Sequence, residues 1–328
     1  MENNSTQEII QAVKEKGFRF QSLKNEIKKC IVGQDHIIDR IFVGLLCNGH
    51  ILLEGVPGLA KTTLIKTLAQ TLGLEYKRIQ FTPDLLPADL IGTLIYNPKN
   101  HEFQTKKGPL FANLILADEI NRAPAKVQSA LLQSMQEHQV TIGDNTHKLD
   151  EPFFVMATQN PIEQEGTYRL PEAQVDRFMF KLLITYPTYN EEKDIIGKVF
   201  NPTPIYKVLE KGEITESQEL INHIYIDDKV VEYILNIVFA TRFPNQFELE
   251  ELENLIEYGA SPRATLAIHH AAKANAFLRK RHFVIPDDIK LVVPDILRHR
   301  ILMTYQAEAE NITSDQIIQK ILRTIPSP

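Results

Sequence analysis

The chain has 328 residues, 43% hydrophobic and 24% charged. This is close to the usual globular mix, and it excludes a wholly disordered chain, a collagen-like repeat and a coiled-coil rod. With 36 Lys and Arg against 42 Asp and Glu the net charge is −6, which argues against holding nucleic acid by bulk attraction, and two cysteines exclude a disulfide framework and fit a reducing compartment.

The length suggests about two domains. The first residues, Met1-Glu2-Asn3-Asn4-Ser5-Thr6-Gln7-Glu8, have neither a basic region nor an apolar one, so no secretory signal is expected. Residues 1–30 read as helical, because Ile9, Ile10, Val13, Phe18, Phe20, Leu23 and Ile27 recur at helix-like steps among Lys and Glu. The most apolar stretch, 41–56, is broken by Asn48, His50 and Glu54, so no membrane insertion is expected and a cytoplasmic protein is.

From 31 to 185 short apolar runs alternate with amphipathic helices. The runs are Ile51-Leu52-Leu53, Leu114-Ile115-Leu116-Ala117, Phe153-Phe154-Val155-Met156 and residues 178–184. They predict an α/β fold with a mostly parallel sheet flanked by helices. Pro187 and Pro202-Thr203-Pro204 mark a linker region over 186–204. Residues 205–328 predict an all-helical domain, with helices over 230–241, 263–281 and 287–305 and a break at Pro294.

Gly55-Val56-Pro57-Gly58-Leu59-Ala60-Lys61-Thr62, followed by Thr63, joins the apolar strand to a helix with Leu64, Leu68 and Leu72 on one face. This strand–loop–helix context suits a Walker A phosphate loop, although Ala60 stands where Gly is usual. Backbone N–H groups and the helix N-terminus would hold phosphate, Lys61 would reach the β- and γ-phosphates, and Thr62 would ligate Mg²⁺. An ordinary glycine-rich turn is the alternative.

Leu114-Ile115-Leu116-Ala117-Asp118-Glu119 is an apolar strand ending in two carboxylates. As a Walker B element it would place Asp118 on Mg²⁺ and Glu119 on the attacking water, with the two side chains on opposite sides of the strand. A helix N-cap is the alternative. Val155-Met156-Ala157-Thr158-Gln159-Asn160-Pro161 is a third apolar strand, ending in amides that could orient that water.

Together these segments resemble the AAA+ ATPases and, within them, the MoxR family, from about residue 20 to the end. Ile31-Val32-Gly33-Gln34 is similar to the family's element beside the adenine, which adds Val32 and Gly33 to the nucleotide-binding set. Asp118-Glu119-Ile120-Asn121-Arg122-Ala123-Pro124 is similar to its extended Walker B, and Ala157 to Pro161 to its sensor 1, with Asn160 as the sensing residue. Leu170-Pro171-Glu172-Ala173-Gln174-Val175-Asp176-Arg177-Phe178 resembles the segment with the arginine finger, although Arg169 stands beside it as a rival. Tyr258-Gly259-Ala260-Ser261-Pro262-Arg263-Ala264 resembles sensor 2, with Arg263 at the start of a helix capped by Ser261.

The resemblance implies a P-loop AAA+ core with an all-helical lid, binding ATP and Mg²⁺. It also implies a homo-oligomeric ring, a hexamer, that remodels or matures protein complexes, with a von Willebrand A domain protein as a partner. Two insertions resemble this branch. One runs from Phe81-Thr82-Pro83 to Gly108-Pro109-Leu110, and the other is a hairpin in which Val140-Thr141-Ile142 and His147-Lys148-Leu149 flank Gly143-Asp144-Asn145. Arg279-Lys280-Arg281-His282 reads as a solvated helix end rather than a nucleic-acid patch. A nucleic-acid motor, a small-molecule kinase and a nucleotide-gated scaffold are the competing functions.

Overall fold

The computed structural model describes residues 2–56, 59, 61–99, 101–160, 168, 170–200 and 203–328, with side chains from residue 7 onward. Pro57, Gly58, Ala60, Pro161, Arg169 and Pro202 lie outside the described residues. The chain forms two compact units. One is Ser22–Phe178 with Leu182–Thr215, and the other is Met1–Gln21 with Met179–Lys181 and Glu216–Pro328.

In chain order the elements begin with α1 (Glu2–Ile27), α2 (Asp35–Leu46), β1 (Ile51–Glu54), α3 (Lys61–Leu72) and β2 (Tyr76–Gln80). Next come α4 (Pro87–Ile91), β3 (Gly92–Asn97), β4 (Glu102–Lys107), β5 (Leu114–Asp118), α5 (Ala125–Glu137), β6 (Gln139–Ile142) and β7 (Asn145–Lys148). Then follow β8 (Phe154–Gln159), α6 (Glu172–Val175), β9 (Phe180–Leu183), α7 (Tyr189–Phe200), α8 (Lys211–Asn222) and α9 (Asp228–Ala240). The chain ends with β10 (Ile256–Tyr258), α10 (Pro262–Leu278), α11 (Pro286–Leu297), β11 (Leu302–Met303), α12 (Tyr305–Ala309) and α13 (Ser314–Thr324).

Five strands form one sheet in the order β2-β5-β8-β1-β9. The pairs β2–β5, β5–β8 and β8–β1 are parallel. The apolar runs of β1, β5 and β8 are buried almost throughout, as expected of strands covered on both faces. Ile115, Ala117, Val155 and Ala157 share a core with Val127, Leu131 and Met135 of α5. The register sets Gln80 beside Asp118, Ala117 beside Ala157 and Glu54 beside Gln159. The carboxyl ends of four strands therefore meet at one edge, where parallel sheets of this type leave a crevice.

The expected hairpin is β6–β7, with a turn at Gly143 and φ of 60° there. The other insertion folds as α4 and the antiparallel pair β3–β4. No described helix is long and apolar enough to cross a membrane.

His50 ties α5 to β8. Its Nε2 donates to the Met135 carbonyl at 3.1 Å, and its Nδ1 accepts the Val155 N–H at 3.1 Å. Burial pushes its pKa down from 6.5 to about 4, because a charged ring there would lose its solvation and one of these bonds. Depression in the folded state means that the contribution is intact above pH 6.5 and is lost as the pH falls towards 4. The shift corresponds to ~3 kcal/mol. Urea midpoints at pH 7 and pH 4.5 should fall more steeply in the native protein than in a His50→Gln variant, and equal slopes would remove His50 from the account.

Four expectations need correction. The 186–204 stretch read as a linker carries the helix α7. The prolines suggested a break, but Thr188 and Glu191 form a capping box: the Thr188 N–H and hydroxyl both donate to Glu191 Oε2 at 2.8 Å. Pro294 does not end its helix. It lies inside α11, whose buried face of Ile289, Val292, Val293, Ile296 and Leu297 continues past it. The helical unit also contains a short antiparallel pair, β10–β11. Finally, Arg281 is not a solvated helix end but is paired with the buried Asp288.

Candidate active site

A cleft of about 370 Å³ opens at the carboxyl edge of the sheet. Gly55, Leu59, Lys61, Thr62, Thr63, Asp118, Glu119 and Asn160 line it, as the sequence reading grouped them. Arg78 and Thr158 line it too, and the sequence reading assigned them no role.

Gly55 and Leu59, which follow β1, line the cleft. Gly55 approaches the backbone so closely that a Cβ there would lie 2.7 Å from the Ile184 carbonyl oxygen. Its N–H donates to the Gln159 carbonyl at 3.3 Å, which pins the loop to β8. Lys61 begins α3 and bends back, its Nζ donating to the Gly55 carbonyl at 2.6 Å. Partial burial lowers the Lys61 pKa, and the nearby Asp118, Glu119 and Glu54 oppose that shift. An ammonium and a helix N-terminus aimed into one cleft suit phosphate oxygens.

Val32 and Gly33 precede α2 and are half-buried. Gly33 has φ of 64°, and a Cβ there would collide with the Glu191 carboxylate. The neighbouring Gln34 reaches the loop through Nε2 to the Leu59 carbonyl at 3.4 Å, and its buried Oε1 has no partner among the described residues. Val56 is described but is not among the lining residues.

Asp118 ends β5, and Glu119 leaves it with φ 56° and ψ 51°, a left-handed turn. That turn corrects one expectation. The two carboxylates do not point to opposite sides; both line the same cleft. Thr158, one strand over, fixes the turn. Its hydroxyl accepts the Glu119 N–H at 2.8 Å and donates to Asp118 Oδ1 at 2.6 Å.

Three further side chains hold the carboxylates. Arg78 donates to Asp118 Oδ2 from Nε at 3.1 Å and from Nη2 at 2.5 Å. Gln80 Nε2 and Arg122 Nη1 donate to Glu119 Oε2 at 2.7 and 3.0 Å. Arg78 also donates to Gln80 Oε1 at 2.9 Å, so the two β2 side chains orient one another. Asn160 is buried at the end of β8. The Thr62 hydroxyl and Asp118 carboxylate are oxygen donors of the kind that suits a hard divalent cation.

Arg177 follows α6 and is half-buried; it is not among the described residues lining the cleft. Arg263 is exposed in the first turn of α10, in the other unit. Ser261 is the N-cap residue there, but its side chain makes no capping bond.

The family described as "ATPase family associated with various cellular activities (AAA)" matches residues 50–180, and the "AAA lid domain" family matches residues 250–321. The chain is 49% identical over 304 residues to Chaperone MoxR1 of Mycobacterium tuberculosis, covering 92% of this chain and 81% of that protein. It is 44% identical over 305 residues to the protein YeaC of Bacillus subtilis, covering 92% of each. A crystal structure of a putative ATPase from Cytophaga hutchinsonii superposes with a TM-score of 0.92 at 51% identity, over 100% of this chain and 99% of that one.

Proposed function

The chain belongs to the MoxR family of AAA+ ATPases, and from that footing we propose that it is a Mg²⁺-dependent ATP hydrolase working as a homo-oligomeric ring, a hexamer, that remodels or matures protein complexes. The observation that carries this reading is the meeting of Lys61, Thr62, Asp118, Glu119 and Asn160 around one cleft.

The nucleotide-binding set is Val32, Gly33, the loop from Gly55 to Thr63, and Arg263. Lys61 exchanges its Gly55 carbonyl for the β- and γ-phosphates. Thr62 and Asp118 would hold the metal, which when bound would neutralise charge on the phosphate oxygens. Glu119 accepts a proton from the attacking water as that oxygen bonds to the γ-phosphorus, and the bond to the β–γ bridging oxygen breaks to release ADP and phosphate. Asn160 orients the water. The family resemblance gives Arg263 the sensor 2 role towards the γ-phosphate, and gives Arg177 the role of completing a neighbouring subunit's site by stabilising charge in trans.

The client is a protein, with a von Willebrand A domain protein as the candidate that the family resemblance suggests. Cys30 and Cys47 are unpaired thiols, which supports placing the protein in the cytoplasm.

Hydrolysis per subunit, measured with Mg²⁺ over a wide range of protein concentration, tests the trans arrangement. Specific activity should rise with concentration and fall in Arg177→Ala without loss of ATP binding. Turnover that stays flat down to monomeric concentrations would remove Arg177 from the mechanism and favour a self-sufficient NTPase.

A further inference from the structure

Arg78 lines the cleft but takes no part in the chemistry above. It lies on β2, the strand paired with β5, and reaches the end of its neighbour. Nε and Nη2 both donate to Oδ2 of Asp118, while Oδ1 of the same carboxylate takes the Thr158 hydroxyl. Both oxygens of the proposed metal-holding side chain are therefore engaged by protein.

The two partners differ in access. The Arg78 side chain is 48% exposed and that of Asp118 is 16%. A carboxylate this sheltered is costly to leave without a cation, whereas an arginine this exposed can swing into water at little cost. A guanidinium and a hydrated divalent cation cannot both face Oδ2 without like-charge repulsion. We propose that Arg78 is a built-in counter-ion of Asp118 that Mg²⁺ must displace when it arrives with nucleotide. The proposal rests on the reading of the cleft as a Mg²⁺–ATP site.

Binding of nucleotide without metal leaves the Arg78–Asp118 pair in place. Binding with metal breaks it. The pair therefore damps the affinity that metal adds, without opposing the nucleotide itself.

The test is the affinity for a fluorescent, slowly hydrolysed ATP analogue, measured in EDTA and in saturating Mg²⁺. The readout is the ratio of the two dissociation constants, which a merely structural role of Arg78 would not move. In Arg78→Gln, which keeps length and polarity without charge, that ratio should rise about fivefold, the scale of one partly exposed charge-assisted pair. Arg78→Lys keeps the competing charge and should stay near the native ratio. An unchanged ratio in Arg78→Gln would overturn the proposal. Weaker metal-free binding with the same ratio would also overturn it, and would assign Arg78 to phosphate instead. If the native protein binds the analogue in neither condition, the reading of the cleft itself fails and the proposal falls with it.

Discussion

Glu119→Gln should lower ATP turnover by about two to four orders of magnitude while leaving ATP affinity close to the native value. That range is the usual contribution of a positioned general base. The substitution is clean because of what Glu119 touches. Its Oε2 accepts from Gln80 at 2.7 Å and from Arg122 at 3.0 Å, and a glutamine carbonyl oxygen can accept both bonds. Its backbone N–H stays on Thr158. The shape of the site is kept, while the negative charge facing Arg122 and the capacity to take a proton are lost. Single-turnover phosphate release, set beside binding of a fluorescent ATP analogue, separates the two effects. Loss of kcat with little change in affinity supports the assignment; unchanged turnover would make Glu119 a structural residue and move the search for a base elsewhere.

The second large effect is on stability. Asp288→Ala in the helical unit should destabilise that unit by about 3 kcal/mol, the lower end of the range for removing one partner of a buried pair, because Arg281 retains some contact with water. Asp288 is 1% exposed and satisfies four donors. Arg281 reaches Oδ1 at 2.6 Å and Oδ2 at 2.9 Å, Asn275 reaches Oδ1 at 2.7 Å, and the Ile285 N–H reaches Oδ2 at 2.9 Å. Alanine removes the acceptor of all four: two guanidinium N–H groups of Arg281, the Asn275 amide and the Ile285 N–H at the start of α11. Asp288→Asn should cost less, since it keeps one acceptor oxygen. Thermal and urea unfolding of the two variants read the difference, and a native midpoint in Asp288→Ala would show that water replaces the network without penalty.

Much of the core could be read from the chain because parallel strands announce themselves as unbroken apolar runs. Leu114 to Ala117 and Phe154 to Met156 needed no tertiary information, and the carboxylates and amides at their ends marked the crevice. What escaped was set by strand order. β2 lies beside β5 rather than beside β1, its neighbour in sequence. Only that order brings Arg78 and Gln80 onto Asp118 and Glu119. In sequence, Lys77-Arg78-Ile79-Gln80 looks like a solvated strand with one buried residue. Thr158 escaped for a related reason, since its bond to Glu119 depends on a turn that β-strand alternation does not foretell. α7 did leave a signal, in Thr188 and Glu191, but the prolines on either side masked it. β10 and β11, of three and two residues, are too short to carry a pattern.

The left-handed turn at Glu119 has a consequence for how this sequence could change. A side chain with φ of 56° costs about 1 kcal/mol that glycine would not, and asparagine tolerates such a backbone better than glutamate does. If Glu119 is the base proposed above, stability and turnover pull in opposite directions at this position. A library selected for heat resistance alone would be drawn towards Gly or Asn at position 119 and would enrich for proteins that fold well and cannot cleave ATP. Retaining glutamate there requires a selection that sees the reaction itself.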